Sequence, residues 1–465
     1  MTTRAQRLRQ FQERLRDDPL DVFRFIGMQV PEVAVSLRGV SREFRTPAWD
    51  SLRLRDLETS TRMFTTLDED AILAYLRRID VHDADSIPYD PRQDNQAGLR
   101  ACVAQNYARC VTYLLQNPRT DPSINDNEAI LWAVQNGHLA IVQSLLRDVR
   151  VDPAARDNEA IRHAAEEGHA AVVQLLLADP RVNPAARDNE AIRIAAEEGH
   201  AAVVQLLLAD PRVNPAARDN EAIRVAASNG HAAVVQLLLA DPRVNPASRN
   251  SAALLRSMSH LAVVQLLLAD GRVNVAEQDN WAIRHAAVDG YAAVVDALIV
   301  NGADPSARNN EAIRRSTDVA VIRRLLEDPR VDASAGDNVA IRAAADGENA
   351  EAVRMLVAAA QGNPAIDPSA QNNYAIREAA LVAHVEIMRI LMTDARVDPS
   401  VDGNKILRIV EGRAHMFRTL GQMDKYARYL ESMELLLAHP RVLATRYDDN
   451  RSVINLARRH GIVIQ

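Results

Sequence analysis

The chain has 465 residues, 48% of them hydrophobic but only 4% aromatic, and a formal net charge of −7. The acidic balance argues against a nucleic-acid backbone as partner for the whole molecule, and no apolar run approaches the length of a membrane span. Two cysteines, Cys102 and Cys110, supply neither a disulfide framework nor zinc-ligand spacing, and read as buried free thiols.

The first 14 residues are charged and show no secretory leader pattern. Residues 15–58 do not repeat. Pro19, Val22, Phe23, Ile26, Val30, Val33, Leu37, Val40, Phe44 and Trp49 form short apolar stripes broken at Gly27 and Pro31. This pattern predicts a trio of short helices too small to make a strong core alone. Residues 59–93, with DAILAYLRRIDVHDADSIPY at 70–89, read as a degenerate first repeat.

From 94 to 448 a unit of about 31 residues recurs. Three successive copies, beginning at Val151, Val182 and Val213, are nearly identical. Self-similarity at this period predicts a stack of helix–turn–helix units, because one unit cannot bury its own apolar face. In the first of these copies Asp157-Asn158 reads as a helix N-cap with Glu159 in the first turn. Ala160, Ile161, Ala164 and Ala165 form the apolar face and Gly168 ends the helix. A second helix from about His169 carries Val172, Val173, Leu175, Leu176 and Leu177, and Asp179-Pro180-Arg181 stops it. The asparagine anchor recurs at Asn95, Asn127, Asn158, Asn189, Asn220, Asn280, Asn310, Asn338, Asn373, Asn404 and Asn450. An irregular unit surrounds Ser251, a finger insertion occupies 362–367, and the wide gap between Asn404 and Asn450 predicts lengthened helices. Residues 449–465 read as a half-repeat with a polar cap at Arg458 and Arg459. The fold class expected is all-α: a solenoid of about twelve units.

The core EAIRHAAEEGHAAVVQLLLADPRVNP resembles the ankyrin repeat, with EAIR in place of TPLH, DPRVN in place of GADVN, and a period two residues shorter than usual. Residues 15–58 are similar to an F-box: Pro19-Leu20-Asp21-Val22-Phe23 matches its opening, although Asp18 stands where leucine is usual, and Val40-Ser41-Arg42-Glu43-Phe44-Arg45 matches its third helix. Together they resemble ankyrin/F-box proteins of large DNA viruses of amoebae. The resemblance implies a substrate-recognition adaptor of a cullin-RING ubiquitin ligase. Pro19, Leu20, Val22, Phe23, Ile26 and Val40 would bind the Skp-type adaptor, and the array would bind a target protein. The other reading is an ankyrin scaffold whose N-terminal helices only cap the stack. The expected location is the cytoplasm or nucleus, inside a host cell were the chain viral.

No nucleotide-binding, metalloprotease or nucleophile-elbow motif occurs, so no catalytic, cofactor or metal residues are assigned and the protein is not expected to be an enzyme. His169, His200 and His231 sit at one place in successive units and are expected to bind backbone across repeat junctions. Arg162, Arg193 and Arg224 are expected to bridge neighbours. By the family's habit the interface candidates are Gln135, Asn136, Glu166, Glu167, Glu197, Glu198, Ser228, Asn229, Val288 and Asp289 at first-helix ends, with Arg156, Arg187 and Arg218 in the fingers. Only Lys405 and Lys425 of the 55 basic residues are lysines. That bias reads either as the codon usage of a GC-rich genome or as a receptor with few sites for its own ubiquitination.

Overall fold

The computed structural model describes residues 96–444 and, before them, 68–70, 72–73 and 76–77. The F-box-like residues Pro19, Leu20, Val22, Phe23, Ile26 and Val40, the anchors Asn95 and Asn450, and the half-repeat at 449–465 lie outside the described residues.

Among the described residues every regular element is a helix. Contacts divide them into two compact units. The first ends at Ala226 and also takes Ala240–Val244; the second holds Ala227–Leu239 and continues from Asn245. In chain order the first unit contains α1 (Ala97–Ala104), α2 (Ala108–Leu115), α3 (Ile124–Gln135), α4 (Leu139–Leu146), α5 (Ala155–Glu166), α6 (Ala170–Leu177), α7 (Ala186–Glu198), α8 (Ala201–Ala209) and most of α9 (Ala217–Ser228). The second contains most of α10 (Ala232–Ala240), then α11 (Ser248–Arg256), α12 (Leu261–Asp270), α13 (Glu277–Val288), α14 (Ala292–Val300), α15 (Ala307–Arg315) and α16 (Val319–Leu326). It continues with α17 (Ala335–Asp346), α18 (Ala350–Gly362), α19 (Ala370–Leu381), α20 (Val385–Leu391), α21 (Val401–Thr419), α22 (Met423–Leu437) and α23 (Pro440–Ala444).

Within each unit, first helices line up against first helices and second against second. Alanine makes the first row close-packed: Ala160, Ala164 and Ala165 are fully buried around Ile161. Val203, Val204 and Leu207 do the same for the second row. Burial of each such valine, leucine or isoleucine is worth about 1.5–3 kcal/mol, which explains why a unit needs its neighbours. Of the second-helix stripe, Val172, Val173 and Leu176 are buried, while Leu175 and Leu177 are half-buried. Cys102 and Cys110 face each other from α1 and α2, both buried and unbridged. The side-chain hydrogen bond with Cys110, and after it burial, push the Cys102 thiol far above its ordinary range.

Two expectations need correction. Asp157 and Asn158 are not an N-cap. Arg156, Asp157 and Asn158 all lie in the left-handed region, at φ 50°, 61° and 61°. The same triplet precedes the regular part of the first helix in every unit from α3 to α21 that has one, and glycine enters it at Gly336 and Gly403. Asparagine and aspartate tolerate this backbone better than other non-glycine residues, which explains the recurring Asp-Asn. The second correction concerns 362–367: the helix α18 runs on to Gly362, so the insertion lengthens a rod as well as a loop.

The finger, too, contains no strand among the described residues. A turn closes from Val182 N–H to the Asp179 carbonyl at 3.1 Å. Asn183 then folds back to accept from Ala185 N–H at 3.0 Å. Gly362 and Leu437 mark where the regular spacing is broken by longer helices, as the wide Asn404–Asn450 gap predicts for α21 and α22.

Candidate protein-interaction surface

Within each unit four recurrent side-chain devices tie successive repeats together, and they fix what remains free. The first is the anchor asparagine. Oδ1 of Asn158 accepts from Asn183 N–H at 2.6 Å, and Oδ1 of Asn189 from Asn214 N–H at 2.6 Å. In the second unit Asn280, Asn310, Asn338 and Asn373 accept from the next finger at 2.7–2.8 Å. Each of these bonds ties a triplet to the following finger, and these asparagines are buried, except Asn280, which is half-buried. In the first described repeat Gln96 takes the place, left-handed at φ 62° and buried.

The second is the Asp-x-Arg of the finger, which does more than stop a helix. Arg212 Nε donates to Asp210 Oδ1 at 3.0 Å and Nη2 to Oδ2 at 2.6 Å. Its Nη1 donates to the Val182 carbonyl at 2.8 Å and Nη2 to Leu177 at 3.1 Å, both in the preceding repeat. Arg150, Arg181, Arg243, Arg330 and Arg396 repeat the arrangement on Asp148, Asp179, Asp241, Asp328 and Asp394. The guanidinium hydrogen bond holds each of these carboxyls below the usual aspartate range.

The third is the arginine of EAIR. Arg193 Nε donates to the Asp188 carbonyl at 3.2 Å and Nη2 to Arg187 at 3.3 Å, capping its own left-handed triplet. Its Nη1 reaches Glu221 of the next repeat at 2.7 Å. Arg162 and Arg284 make the same inter-repeat pair with Glu190 at 3.0 Å and Glu311 at 2.5 Å. Arg224 caps its triplet through the Asp219 and Arg218 carbonyls.

The fourth is the histidine that opens the second helix. Nε2 of His169 donates to the Gln135 carbonyl at 3.0 Å and that of His200 to Glu166 at 2.8 Å; a carbonyl only accepts, so Nε2 carries the proton. A Cβ on Gly168 would lie 2.5 Å from His200 Nδ1, and Gly168 has φ +73°. That glycine is required twice over, by backbone and by space.

The interface candidates sit outside these devices. In the first unit Gln135, Asn136, Glu166, Glu167, Glu197 and Glu198 are exposed at successive first-helix ends. The histidine bonds set those ends in register, because each imidazole is anchored to the carbonyl of Gln135 or Glu166. In the second unit Asn229 and Asp289 are exposed, and Ser228 and Val288 half-buried. The finger arginines are exposed but engaged. Arg187 Nε donates to Asp157 at 3.1 Å, Arg218 to Asp188 at 3.4 Å, and Arg156 Nη2 to the Asn125 carbonyl at 2.9 Å. They form a ladder between fingers as much as a surface for a partner.

One residue escaped the sequence reading. Trp132 is 45% exposed and occupies, in α3, the place of His163, Ile194 and Val225. It floors a cleft of about 180 Å³ that brings Gln135 and Arg156 together with Glu128 and Glu159. The signal lies in the copies themselves, where the equivalent residues His163, Ile194 and Val225 differ among otherwise fixed neighbours.

Three overlapping copies of the family model for ankyrin repeats match residues 99–188, 161–250 and 223–309. No curated protein matches the chain. Residues 99–309 therefore match ankyrin repeats, a class of helical solenoid that acts in protein–protein interaction. The left-handed triplets and paired helices continue past the matched span to α21 and α22. Among the described residues no helix is long and apolar enough to cross a membrane.

Proposed function

We propose that the array captures a protein through its first-helix ends and that residues 15–58, as an F-box-like segment, couple it to the Skp-type adaptor of a cullin-RING ubiquitin ligase. One observation supports the capture half. Apart from Asp152, which is Asn183 and Asn214 in the next copies, the residues that differ between near-identical copies are the half-buried His163, Ile194 and Val225 and the helix-end pairs Glu166-Glu167, Glu197-Glu198 and Ser228-Asn229, while the four stapling devices stay fixed. A scaffold that keeps its joints and varies its exposed ends is built to recognise something. The ligase half rests on the Val40-Ser41-Arg42-Glu43-Phe44-Arg45 signature and on Pro19 to Phe23. In this role the protein is not an enzyme, needs no cofactor, and works in the cytoplasm or nucleus.

The test is co-purification of the full chain with a Skp-type adaptor. Binding that is lost in Phe23→Asp and Ile26→Asp, with the helical melt unchanged, supports the coupling. Absence of binding by the intact chain removes it and leaves an ankyrin scaffold. The capture half is tested separately, with Glu166→Arg/Glu197→Arg against any target that cross-links to the strip.

A further inference from the structure

The helix pair α21 and α22 departs from the pattern of the other pairs. From Asn404 to the N-cap Gln422 runs 18 positions (422 − 404), against 11 from Asn158 to His169 (169 − 158). From Gln422 to the C-cap Ala438 runs 16 (438 − 422), against 9 from His169 to Ala178 (178 − 169). Each rod gains seven residues at the shared end, two turns or about 10 Å of hairpin. The stapling of repeats uses none of this length.

The extension is stiffened at its base. Phe417 stacks on Tyr429 with ring centroids 5.4 Å apart, and the buried Tyr429 hydroxyl donates to the Leu381 carbonyl of the preceding repeat at 2.7 Å. Beyond that pin Met416 is 37% exposed, Leu420 61% and Met423 58%, around a turn at Gly421. Met416 and Leu420 are one helical turn apart and share a face. The other exposed large apolar residues of the second unit, Val300, Val382 and Leu443, are far apart in sequence. Cations surround the tip: Lys425 lies over Phe417 at 5.1 Å, Arg418 over Tyr426 at 5.9 Å, and Arg413 and Arg428 are exposed. Between 413 and 428 four cations face one carboxylate, Asp424, a net +3 within a chain of −7.

We propose that this hairpin tip is a docking element for a second protein, one that offers an apolar groove with a carboxylate-rich rim. A stiff rod ending in two methionines and a leucine presents side chains that adapt to a pocket, and the cations around them match an acidic rim. An exposed apolar group on an otherwise charged surface marks an interaction site. A lipid surface would meet the same cations but fits less well, because the apolar contact is three side chains around one turn, enough to fill a pocket and little to bury in a bilayer. The tip lies on different helices from the strip of Glu166 and Glu197, so the two surfaces are separable.

The test is a selection from a random 12-residue peptide display library on the intact protein, with counter-selection on Met416→Gln/Leu420→Gln/Met423→Gln. These positions are exposed, so the variant is expected to melt like the parent. The expected result is an enriched peptide class combining Asp or Glu with Leu, Ile or Phe. Synthetic members should bind the parent at least tenfold more tightly than the variant, and should lose affinity on Arg418→Glu/Lys425→Glu and in raised salt. Glu166→Arg/Glu197→Arg should leave this binding unchanged. Three outcomes overturn the proposal. One is a selection in which no peptide separates parent from variant. Another is a tip-dependent class that is basic or uncharged. The third is tip-dependent sedimentation with phosphatidylcholine/phosphatidylserine vesicles, or tip-dependent self-association, with no peptide preference.

Discussion

If the anchor asparagine is both a left-handed residue and an inter-repeat acceptor, three substitutions at Asn189 separate the two roles. Asn189 has φ 60° and is 8% exposed, and its Oδ1 accepts from Asn214 N–H at 2.6 Å. Asn189→Gly keeps the backbone and loses the acceptor. The stranded, part-buried N–H then costs about 1–3 kcal/mol. Asn189→Ala loses the acceptor and also forces a Cβ into the left-handed region, adding about 1–2 kcal/mol. Asn189→Asp keeps the acceptor and the backbone tolerance and should cost under about 1 kcal/mol. The order expected is Ala worst, Gly intermediate, Asp least. Urea unfolding followed by circular dichroism at 222 nm reads it, as midpoints compared at unchanged slope. Equal midpoints for Asp and Gly would show that the bond contributes nothing. Equal midpoints for Gly and Ala would show that the left-handed backbone is not what holds the residue.

The remaining predictions concern the other devices. Arg212→Lys keeps the charge but cannot reach two Asp210 oxygens and two carbonyls together. With the guanidinium 39% exposed, it should cost about 1–2 kcal/mol, read as a shift in urea midpoint. The carboxyls of Asp148, Asp179, Asp210 and Asp241 are depressed by their arginines. Their stabilisation is present above the ordinary value of 3.8 and disappears as pH falls through the lower folded values, so the urea midpoint should drop steeply below pH 4. A flat midpoint from pH 5 to 2 would contradict this. Gly168→Ala should destabilise by at least about 1 kcal/mol more than Gly271→Ala. Both glycines have positive φ, but only the first would drive a Cβ into a histidine, and nothing lies within 4 Å of the second. Cys102 and Cys110 are fully buried, so a thiol reagent should label them only as fast as α1 and α2 open. Full labelling of the native protein within mixing time would show that this repeat is not packed as described.

The helix pairs were legible because their period is written in identical copies: Ile161, Val172, Val173 and Leu176 recur at fixed spacing and are buried as their periodicity requires. The histidine bridge was legible for the same reason. Asn158 was misread because a cap and a left-handed anchor call for the same side chains. Both use a short polar group that bonds backbone nearby. The difference lies in which backbone it meets, and that is the next repeat's finger, 25 residues on. Arg212 was invisible as a clamp because Asp-Pro-Arg already had a sufficient local reading as a helix stop. Its partners, Val182 and Leu177, are 30 and 35 residues away and are carbonyls, which leave no trace in side-chain identity. The surface strip was legible only as position. Exposure of Glu166 or Asn229 follows from the fold, whereas preference for a partner does not.

Once the clamps are known, the shortage of lysine divides into two parts. Arg150, Arg181, Arg212, Arg243, Arg330 and Arg396 each fork onto a carboxylate and reach a carbonyl of the preceding repeat, and Arg193, Arg224, Arg284 and Arg342 each cap two carbonyls of a triplet. A planar guanidinium does this and a point ammonium does not, so at these positions arginine follows from the stacking geometry and needs no appeal to genome or to ubiquitin. Arg147 and Arg323 are exposed and outside the clamps, and there lysine would serve as well. Arg147→Lys/Arg323→Lys should therefore leave the urea midpoint within about 0.5 kcal/mol of the parent. If residues 15–58 recruit a ubiquitin ligase, the same substitutions should shorten the protein's lifetime in cells with an active cullin-RING system, and a Phe23→Asp background should restore it. An unchanged lifetime in the intact background would assign the missing lysines to codon usage and remove one support from the ligase proposal, while leaving the stapled array and its hairpin tip untouched.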